Sequence, residues 1–131
     1  MREILFRAKG NKKYNNGGWY FGGGIGKDCD GDCYIQDNSF RWTVISDTVC
    51  QYTGLTDKNG TKIFEGDIIK TKFNRICLVN WLQSDCFCGW DFFPLEDKNK
   101  APSSYDLFYR LNLEVIGNKF DNPELMRGVE K

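Results

Sequence analysis

The chain has 131 residues, which is enough for one domain of ordinary size or for two very small ones. Lysine plus arginine and aspartate plus glutamate each number 18, so the formal net charge is zero and the composition lacks the surplus of positive charge that favours nucleic-acid binding. The sequence contains no histidine, which excludes Ser-His and Cys-His nucleophile pairs and histidine metal ligands among these residues.

The sequence carries no targeting or membrane signal that we can identify. No apolar run is long enough for a transmembrane helix, and residues 1–7 lack the apolar core and cleavage site of a signal peptide. We therefore expect a cytoplasmic protein with no membrane partner. In that compartment the six cysteines are expected to be reduced thiols.

Strand-forming segments dominate the first half of the chain. They are residues 4–6, 18–22, 33–35 and 40–45. In the last segment, apolar residues alternate with Arg41 and Thr43, which is the period of a strand with one buried and one solvated face. A turn-forming cluster, 37–39, separates the last two segments.

The glycine-rich segment 22–27 fails the patterns of known phosphate-binding loops. The Walker pattern needs glycine at position 21 and serine or threonine at position 28, where this chain has Phe21 and Asp28. The dinucleotide-binding pattern needs glycine at the position of Lys27. Because glycine adopts turn conformations at little cost, we predict a flexible hairpin tip here.

The second half repeats the pattern of short strands and turns. Its strand candidates are 62–64, 67–73, 75–81, 86–93 and 113–117, and Asn59-Gly60 is typical of a tight hairpin turn. One short helix is predicted near the end, with Asn122 as its N-cap and Pro123 at its first position. A change of character near 50–56 predicts two β subdomains, 1–50 and 51–131.

Three blocks of the sequence resemble the YopX family of phage and prophage proteins. The central block, 51–70, reads QYTGLTDKNGTKIFEGDIIK and is closely similar to the family signature. Phe6-Arg7-Ala8 precedes it, and 114–118 and 122–125 follow it in the expected order. The chain departs from the family at Cys50, where glycine is usual, and at Lys9-Gly10, where Trp-Asp is common; both departures concern local packing.

The resemblance implies a phage or prophage origin and a fold. It implies a mainly β protein in which an N-terminal β subdomain is followed by an SH3-like β-barrel subdomain with a short C-terminal helix. It implies no activity, so the function has to be argued from individual sites.

The signature block is interpreted first as turn chemistry. Gly54 and Gly60 suit positions where a Cβ atom would clash, and Asp67 is expected to accept hydrogen bonds from nearby backbone. The alternative is a binding loop on a rigid scaffold. Its candidate residues are Gln51, Tyr52, Thr53, Asp57, Lys58 and Asn59.

Two groups of residues have the composition of metal ligands. Cys29 and Cys33 are spaced C-x3-C, and Cys86 and Cys88 are spaced C-x-C, so four thiolates would suit zinc if the pairs met. We favour buried thiols, because free cysteine behaves as a small hydrophobic residue. The acidic segment 28–32 lacks the glycine and glutamate positions of a calcium-binding EF-hand and is interpreted as a solvated turn. We therefore predict no metal and no cofactor.

Aromatic residues raise the question of nucleic-acid binding. Trp, Tyr and Phe can stack on bases, and Lys70, Lys72 and Arg75 frame one strand pair as candidate phosphate contacts. We favour core packing, because strands require aromatic residues for their buried faces. The aromatic residues concerned are Trp19, Tyr20, Phe21, Trp42, Trp81, Trp90, Phe92 and Phe93.

These observations favour a non-enzymatic phage or prophage accessory protein that acts as a protein-interaction module. Its expected partner is a second copy of itself, forming a homo-oligomer, or a phage or host protein. The alternative is a single-stranded nucleic-acid-binding module on an SH3-like barrel. The third hypothesis is an enzyme in which a pair of Asp or Glu residues performs acid–base catalysis, although their spacing in the sequence identifies no particular pair.

Overall fold

The computed structural model describes residues 3–70, 76–83, 88–95 and 113–126 of the chain. Two compact units are present, Met1–Gly54 and Leu55–Lys131. Both are built mainly from short antiparallel β-strands, as the sequence predicts. Among the described residues, no helix has the length and apolar character needed to cross a membrane.

The first unit, Met1–Gly54, consists of six strands and one turn of 3-10 helix. The strands are β1 (Phe6–Lys9), β2 (Trp19–Gly22), β3 (Gly24–Lys27), β4 (Cys33–Gln36), β5 (Arg41–Thr43) and the start of β6 (Cys50–Thr56), and the 3-10 turn is Ser46–Thr48. Strand β1 pairs with β2 and with the first residues of β6. Strands β3, β4 and β5 form a three-stranded sheet in that order.

The core of the first unit lies around Ala8, Ile35 and Val44, which are all buried. The predicted alternation along β5 holds for Val44 and for Trp42, which packs against this core. It is wrong for Phe40, which is 64% exposed. Phe40 closes the turn between β4 and β5, because its carbonyl accepts a hydrogen bond from the Asp37 amide, and a turn residue has no facing strand to cover it.

The glycine-rich segment is a strand switch, so the prediction of a hairpin tip is wrong. Strand β2 pairs with β1 and strand β3 pairs with β4, and Gly23 alone separates β2 from β3. The chain thus passes from one sheet to the next without a turn between paired strands. A Cβ atom at Gly22 would lie 2.3 Å from the carbonyl oxygen of Gln36, so glycine allows β2 to lie directly against the backbone of β4.

The second unit, Leu55–Lys131, contains an open four-stranded antiparallel sheet in the described residues. Its elements are the end of β6, β7 (Lys62–Phe64), β8 (Asp67–Lys70), β9 (Ile76–Gln83), β10 (Cys88–Pro94), β11 (Glu114–Asn118) and helix α1 (Pro123–Met126). The sheet order is β10-β9-β8-β11. Because the first and last strands of this order do not pair in the described residues, the sheet is not closed and the predicted SH3-like barrel is not confirmed. The predicted short helix beginning at Pro123 is confirmed.

Apolar residues cover both faces of this sheet. Ile68 and Ile69 are adjacent on β8 and therefore point to opposite faces, yet both are fully buried. Ile69 lies in one cluster with Cys77, Val79, Ile63 and Leu113. Ile68 lies in a second cluster with Leu78 and Leu95, against which Leu125 and Met126 of helix α1 pack.

We expect the substitution Gly22→Ala to destabilise the first unit and Gly23→Ala to leave it nearly unchanged. At Gly22 the added methyl group would meet the backbone oxygen of Gln36, and overpacking of this kind costs about 1–3 kcal/mol. A Cβ atom at Gly23 would lie 3.6 Å from the nearest atom, a backbone oxygen. The substitution there should therefore alter the free energy of unfolding by no more than about 0.5 kcal/mol. Urea unfolding followed by circular dichroism measures both. Equal losses for the two variants would contradict this account of Gly22.

Candidate functional site

The central signature block contains a turn that also occurs elsewhere in the chain. At residues 57–61, the amides of Asn59 and Thr61 donate to Oδ1 of Asp57 at 2.9 and 2.8 Å, and Gly60 adopts a φ of 83°. At 28–32, the amides of the corresponding residues donate to Oδ1 of Asp28 at 2.9 and 3.0 Å, and the glycine has a φ of 85°. Both are three-residue hairpin loops that end in a left-handed glycine, rather than the two-residue Asn-Gly turn predicted.

Asp57 differs from Asp28 because its second carboxylate oxygen makes a long-range contact. The amide of Val115, 58 residues further along, donates to Oδ2 of Asp57 at 3.0 Å. The amide of Lys58 donates to the carbonyl of Leu113 at 2.9 Å, which fixes the same loop to the same segment. Asp57 is only 7% exposed. The carboxylate is therefore a structural connection within the second unit.

Hydrogen bonding lowers the pKa of Asp57. Burial raises this pKa, but the backbone N–H groups of Val115, Thr61 and Asn59, together with the positive charge of Lys58, stabilise the carboxylate more strongly.

Asp67 also accepts a hydrogen bond from the backbone while buried. Its Oδ2 accepts a 2.7 Å hydrogen bond from the Phe64 amide, and its side chain is 1% exposed. The predicted backbone hydrogen bonding of Asp67 is confirmed.

The six candidate loop residues differ in accessibility. Gln51, at the start of β6, is exposed, whereas Tyr52 and Thr53 are buried. In the second unit, Lys58 and Asn59 are exposed beside the buried Asp57. A binding role for this block stays a prediction, and the hydrogen bonds described for Asp57 all come from backbone amides.

An open cleft in the first unit is a site that the sequence did not indicate. It has a volume of about 810 Å³. Its lining comes from the residues before β1, the strand switch, and the turn between β4 and β5. These residues are Glu3, Leu5, Phe21, Gly22, Gly23, Gly24, Gln36, Asp37 and Asn38.

Of the three glycines that line the cleft, the packing of the fold requires one and permits a side chain at the other two. Gly22 is required by its contact with β4. The backbone at Gly23 and Gly24 is not left-handed, and a Cβ atom there would meet nothing closer than 3.6 Å and 4.0 Å, respectively. Neither conformation nor packing therefore requires glycine at these two positions. Their lack of side chains leaves the cleft open, and the run of three glycines at 22–24 is the feature of the sequence that could have indicated it.

Charged and aromatic groups give the cleft its chemical character. Two carboxylates, those of Glu3 and Asp37, belong to the lining, and the lining residues that the structure describes include no lysine or arginine. The Phe21 ring is 48% exposed. Oδ1 of Asp37 accepts hydrogen bonds from the amides of Ser39 and Phe40 at 3.3 and 3.2 Å. The side chain is therefore held in place by the turn.

The family model for the YopX protein matches residues 6–127. The chain belongs to the YopX family. A solved structure, protein EF1440 from Enterococcus faecalis, is similar to this chain with 24% identity and a TM-score of 0.48, covering 96% of this chain and 99% of that one. No curated protein is similar to the chain. The YopX resemblance inferred from the three sequence blocks is thus confirmed.

The cysteines of this YopX protein take several environments. Cys77 and Cys50 are buried, Cys29 is exposed, and burial raises the pKa of Cys33 although the charge of Lys27 lowers it. Cys86 and the side chain of Cys88 lie outside the described residues. Within the described part of the chain, no three His, Cys, Asp or Glu side chains are grouped to hold a metal ion.

The candidate nucleic-acid contacts are described only in part. Lys70 is half-buried at the end of β8, where its backbone lies opposite Glu114 and Ile76. Lys72 and Arg75 lie outside the described residues. A nucleic-acid contact by these three residues therefore stays a prediction.

Of the eight aromatic residues considered for base stacking, the structure describes the side chains of six, and three of these, Tyr20, Trp42 and Trp90, pack against a core as predicted. Tyr20 and Trp42 stack at 5.1 Å between centroids in the first unit, and Trp90 packs against the core of the second. Phe21 and Trp81 are 48% and 47% exposed. Trp19 lies beneath two cations, with the Arg7 guanidinium 4.6 Å and the Lys9 ammonium 5.5 Å from its ring centroid. The side chains of Phe92 and Phe93 are outside the described set.

We expect Asp57→Asn to destabilise the protein and Asp28→Asn to be nearly neutral. Asparagine at position 28 can still accept both turn hydrogen bonds on one oxygen. The free energy of unfolding should therefore change by no more than about 0.5 kcal/mol. At 57 the amide NH₂ group would replace the oxygen that accepts from Val115, at a cost of about 2 kcal/mol. Urea unfolding measures the free energy of unfolding of both variants. An equal loss of stability for Asp28→Asn and Asp57→Asn would show that the hydrogen bond from Val115 contributes nothing.

The contribution of Asp57 should also depend on pH. Because its pKa is lowered in the folded protein, its stabilising effect is complete above the ordinary aspartate pKa and is lost as the pH falls through the lowered value. The stability difference between the natural protein and Asp57→Asn should therefore shrink below about pH 4. Urea midpoints measured from pH 7 to pH 2.5 would reveal it, and a constant difference would contradict the assignment.

Proposed function

We propose that this YopX protein is a non-enzymatic accessory protein of a phage or prophage, and that it acts in the cytoplasm as a protein-interaction module. The cleft of the first unit is the proposed binding site. The observation that carries the proposal is the pair Gly23 and Gly24, which keep the cleft open although the fold does not require glycine at either position.

The energetics of glycine support this choice of site. Glycine in a strand costs roughly 0.5–1 kcal/mol relative to alanine, because it loses more conformational freedom on folding. Gly24 is the first residue of β3, and the space for a Cβ atom beside it is open. Retaining glycine there sacrifices stability and preserves access to the cleft. A binding function explains this preference better than packing does.

The half-exposed ring of Phe21 supports recognition of a protein. Aromatic residues are enriched at the centres of protein interfaces, where they supply a large apolar contact area. Phe21 borders the cleft beside the strand switch, so a ligand in the cleft would cover it. A phage protein, a host protein and a second copy of this chain are the proposed partners.

We expect Phe21→Ala to abolish partner binding and Phe40→Ala to preserve it. Both residues are exposed aromatics of the first unit, but Phe40 is not part of the lining of the cleft. The measurement is capture by the purified, immobilised chain from cells carrying the prophage, with mass spectrometry of what is retained, together with light scattering to detect self-association. A protein retained by the natural chain and by Phe40→Ala but lost with Phe21→Ala supports the proposal. Retention by all three forms, or a monomer that retains nothing, overturns it.

A further inference from the structure

We infer that Asn16 is a site of self-modification by deamidation, at which the backbone nitrogen of Gly17 attacks the side-chain amide of Asn16 while the surrounding loop stabilises the charge that develops. The inference is independent of the proposed binding function. Its basis is a single atom, Oδ1 of Asn16, which accepts hydrogen bonds from the loop between β1 and β2 and from β2 itself.

Two hydrogen-bond donors converge on Oδ1 of Asn16. The backbone amide of Gly18 donates to it at 2.9 Å, and the hydroxyl of Tyr20 donates to it at 2.9 Å. Because a backbone amide can only donate, the atom of the Asn16 side chain that it meets is the oxygen. Both donors therefore stabilise the negative charge that forms on this oxygen when a nucleophile attacks the adjacent Cγ atom.

The fold holds the Tyr20 hydroxyl in place. The Tyr20 backbone pairs with Ala8 of β1, and its ring stacks on Trp42 with 5.1 Å between centroids. A Cβ atom at Gly10 would lie 2.6 Å from the Tyr20 ring, so the ring lies directly against that backbone. A donor held in this way need not reorganise while the charge develops.

The nucleophile is the backbone nitrogen of Gly17. Its N–H donates to Oδ1 of Asn15 at 3.0 Å, and this hydrogen bond polarises the peptide group towards a more electron-rich nitrogen. Glycine is also required there by the structure, because its φ is 77° and the stem of Lys12 occupies the position of a Cβ atom. Asn16 is exposed, so water can reach the site.

The reaction balances with water as its co-reactant. The Gly17 nitrogen loses its proton and forms a bond to Cγ of Asn16, the bond from Cγ to the side-chain nitrogen breaks, and ammonia leaves with that proton. The product is a cyclic succinimide, which water opens at either carbonyl carbon to give aspartate or isoaspartate. Both products add a negative charge to a loop that contains Lys12 and Lys13.

A second Asn-Gly pair, Asn59-Gly60, is a matched comparison within the same chain. Asn59 is exposed like Asn16, Gly60 also has a positive φ of 83°, and its amide also donates to an oxygen, the Asp57 carbonyl at 3.0 Å. The hydrogen bond described for Asn59 comes from its backbone amide, and none of those described ends on its side-chain oxygen. The two pairs therefore differ in the donors that reach the asparagine side chain.

The experiment is incubation of the full chain near neutral pH, with peptide mapping by mass spectrometry to follow conversion at both asparagines in one sample. We expect Asn16 to convert roughly 25-fold faster than Asn59, which is about fivefold for each donor at the typical strength of a hydrogen bond. In the chain unfolded by urea the donors are lost, and we expect similar rates at the two sites.

Matched variants assign the effect to the Tyr20 hydroxyl. Tyr20→Phe keeps the stacked ring and removes the donor, so conversion of Asn16 should slow about fivefold while that of Asn59 stays the same. Tyr14→Phe removes an exposed hydroxyl from the same loop and should leave both rates unchanged. Circular dichroism checks that the variants are folded.

Four results would overturn the inference. They are conversion of Asn16 no faster than that of Asn59 in the folded chain, the same ratio of the two rates in urea, no effect of Tyr20→Phe on Asn16, or equal effects of Tyr20→Phe and Tyr14→Phe. The comparison of the folded and urea-unfolded natural chain needs no variant, so it decides the question even if Tyr20→Phe fails to fold.

Discussion

Between Gly22 and the carbonyl oxygen of Gln36 there is no room for a side chain. This close approach lets β2 lie against the backbone of β4. The pairing with β1 ends at Gly22, and two residues later, at Gly24, the chain begins to pair with β4 as β3. The strand switch then borders an open cleft rather than a packed corner. The architecture of the first unit, and the site that we propose in it, depend on this contact.

The most recognisable part of the sequence serves structure in the second unit. Asp57 accepts three backbone hydrogen bonds, one of them from Val115, and is almost fully buried. A buried carboxylate is costly unless its oxygens are satisfied, and once satisfied it holds its loop firmly. Asp67 does the same for the turn before β8. The signature of the YopX family therefore includes turn chemistry with a clear physical purpose.

The proposed site lies in a less distinctive part of the sequence. Binding by a cleft requires space, accessible backbone and complementary charge, and none of these needs a rare side chain. Gly23 and Gly24 provide the space, and the exposed ring of Phe21 borders it. Asp57 and Asp67 of the second unit are thus explained by backbone hydrogen bonds that the fold requires. In our proposal, Gly23 and Gly24 of the first unit are explained by the access to the cleft that they leave.

The sequence alone determined the local features of this protein. It predicted the mainly β character, the turn at 37–39, the hydrogen bonding of Asp67 and the helix beginning at Pro123, because these depend on backbone preferences and on contacts between neighbours in the chain. The segments 6–8, 51–70, 114–118 and 122–125 also indicated the family. Tertiary structure decided the rest. The pairing partners of β2 and β3, the hydrogen bond from the Val115 amide to Asp57 and the cleft all depend on contacts between distant residues. Periodicity and turn propensity contain no information about which strand lies beside which, and for that physical reason these features became visible only in the folded chain.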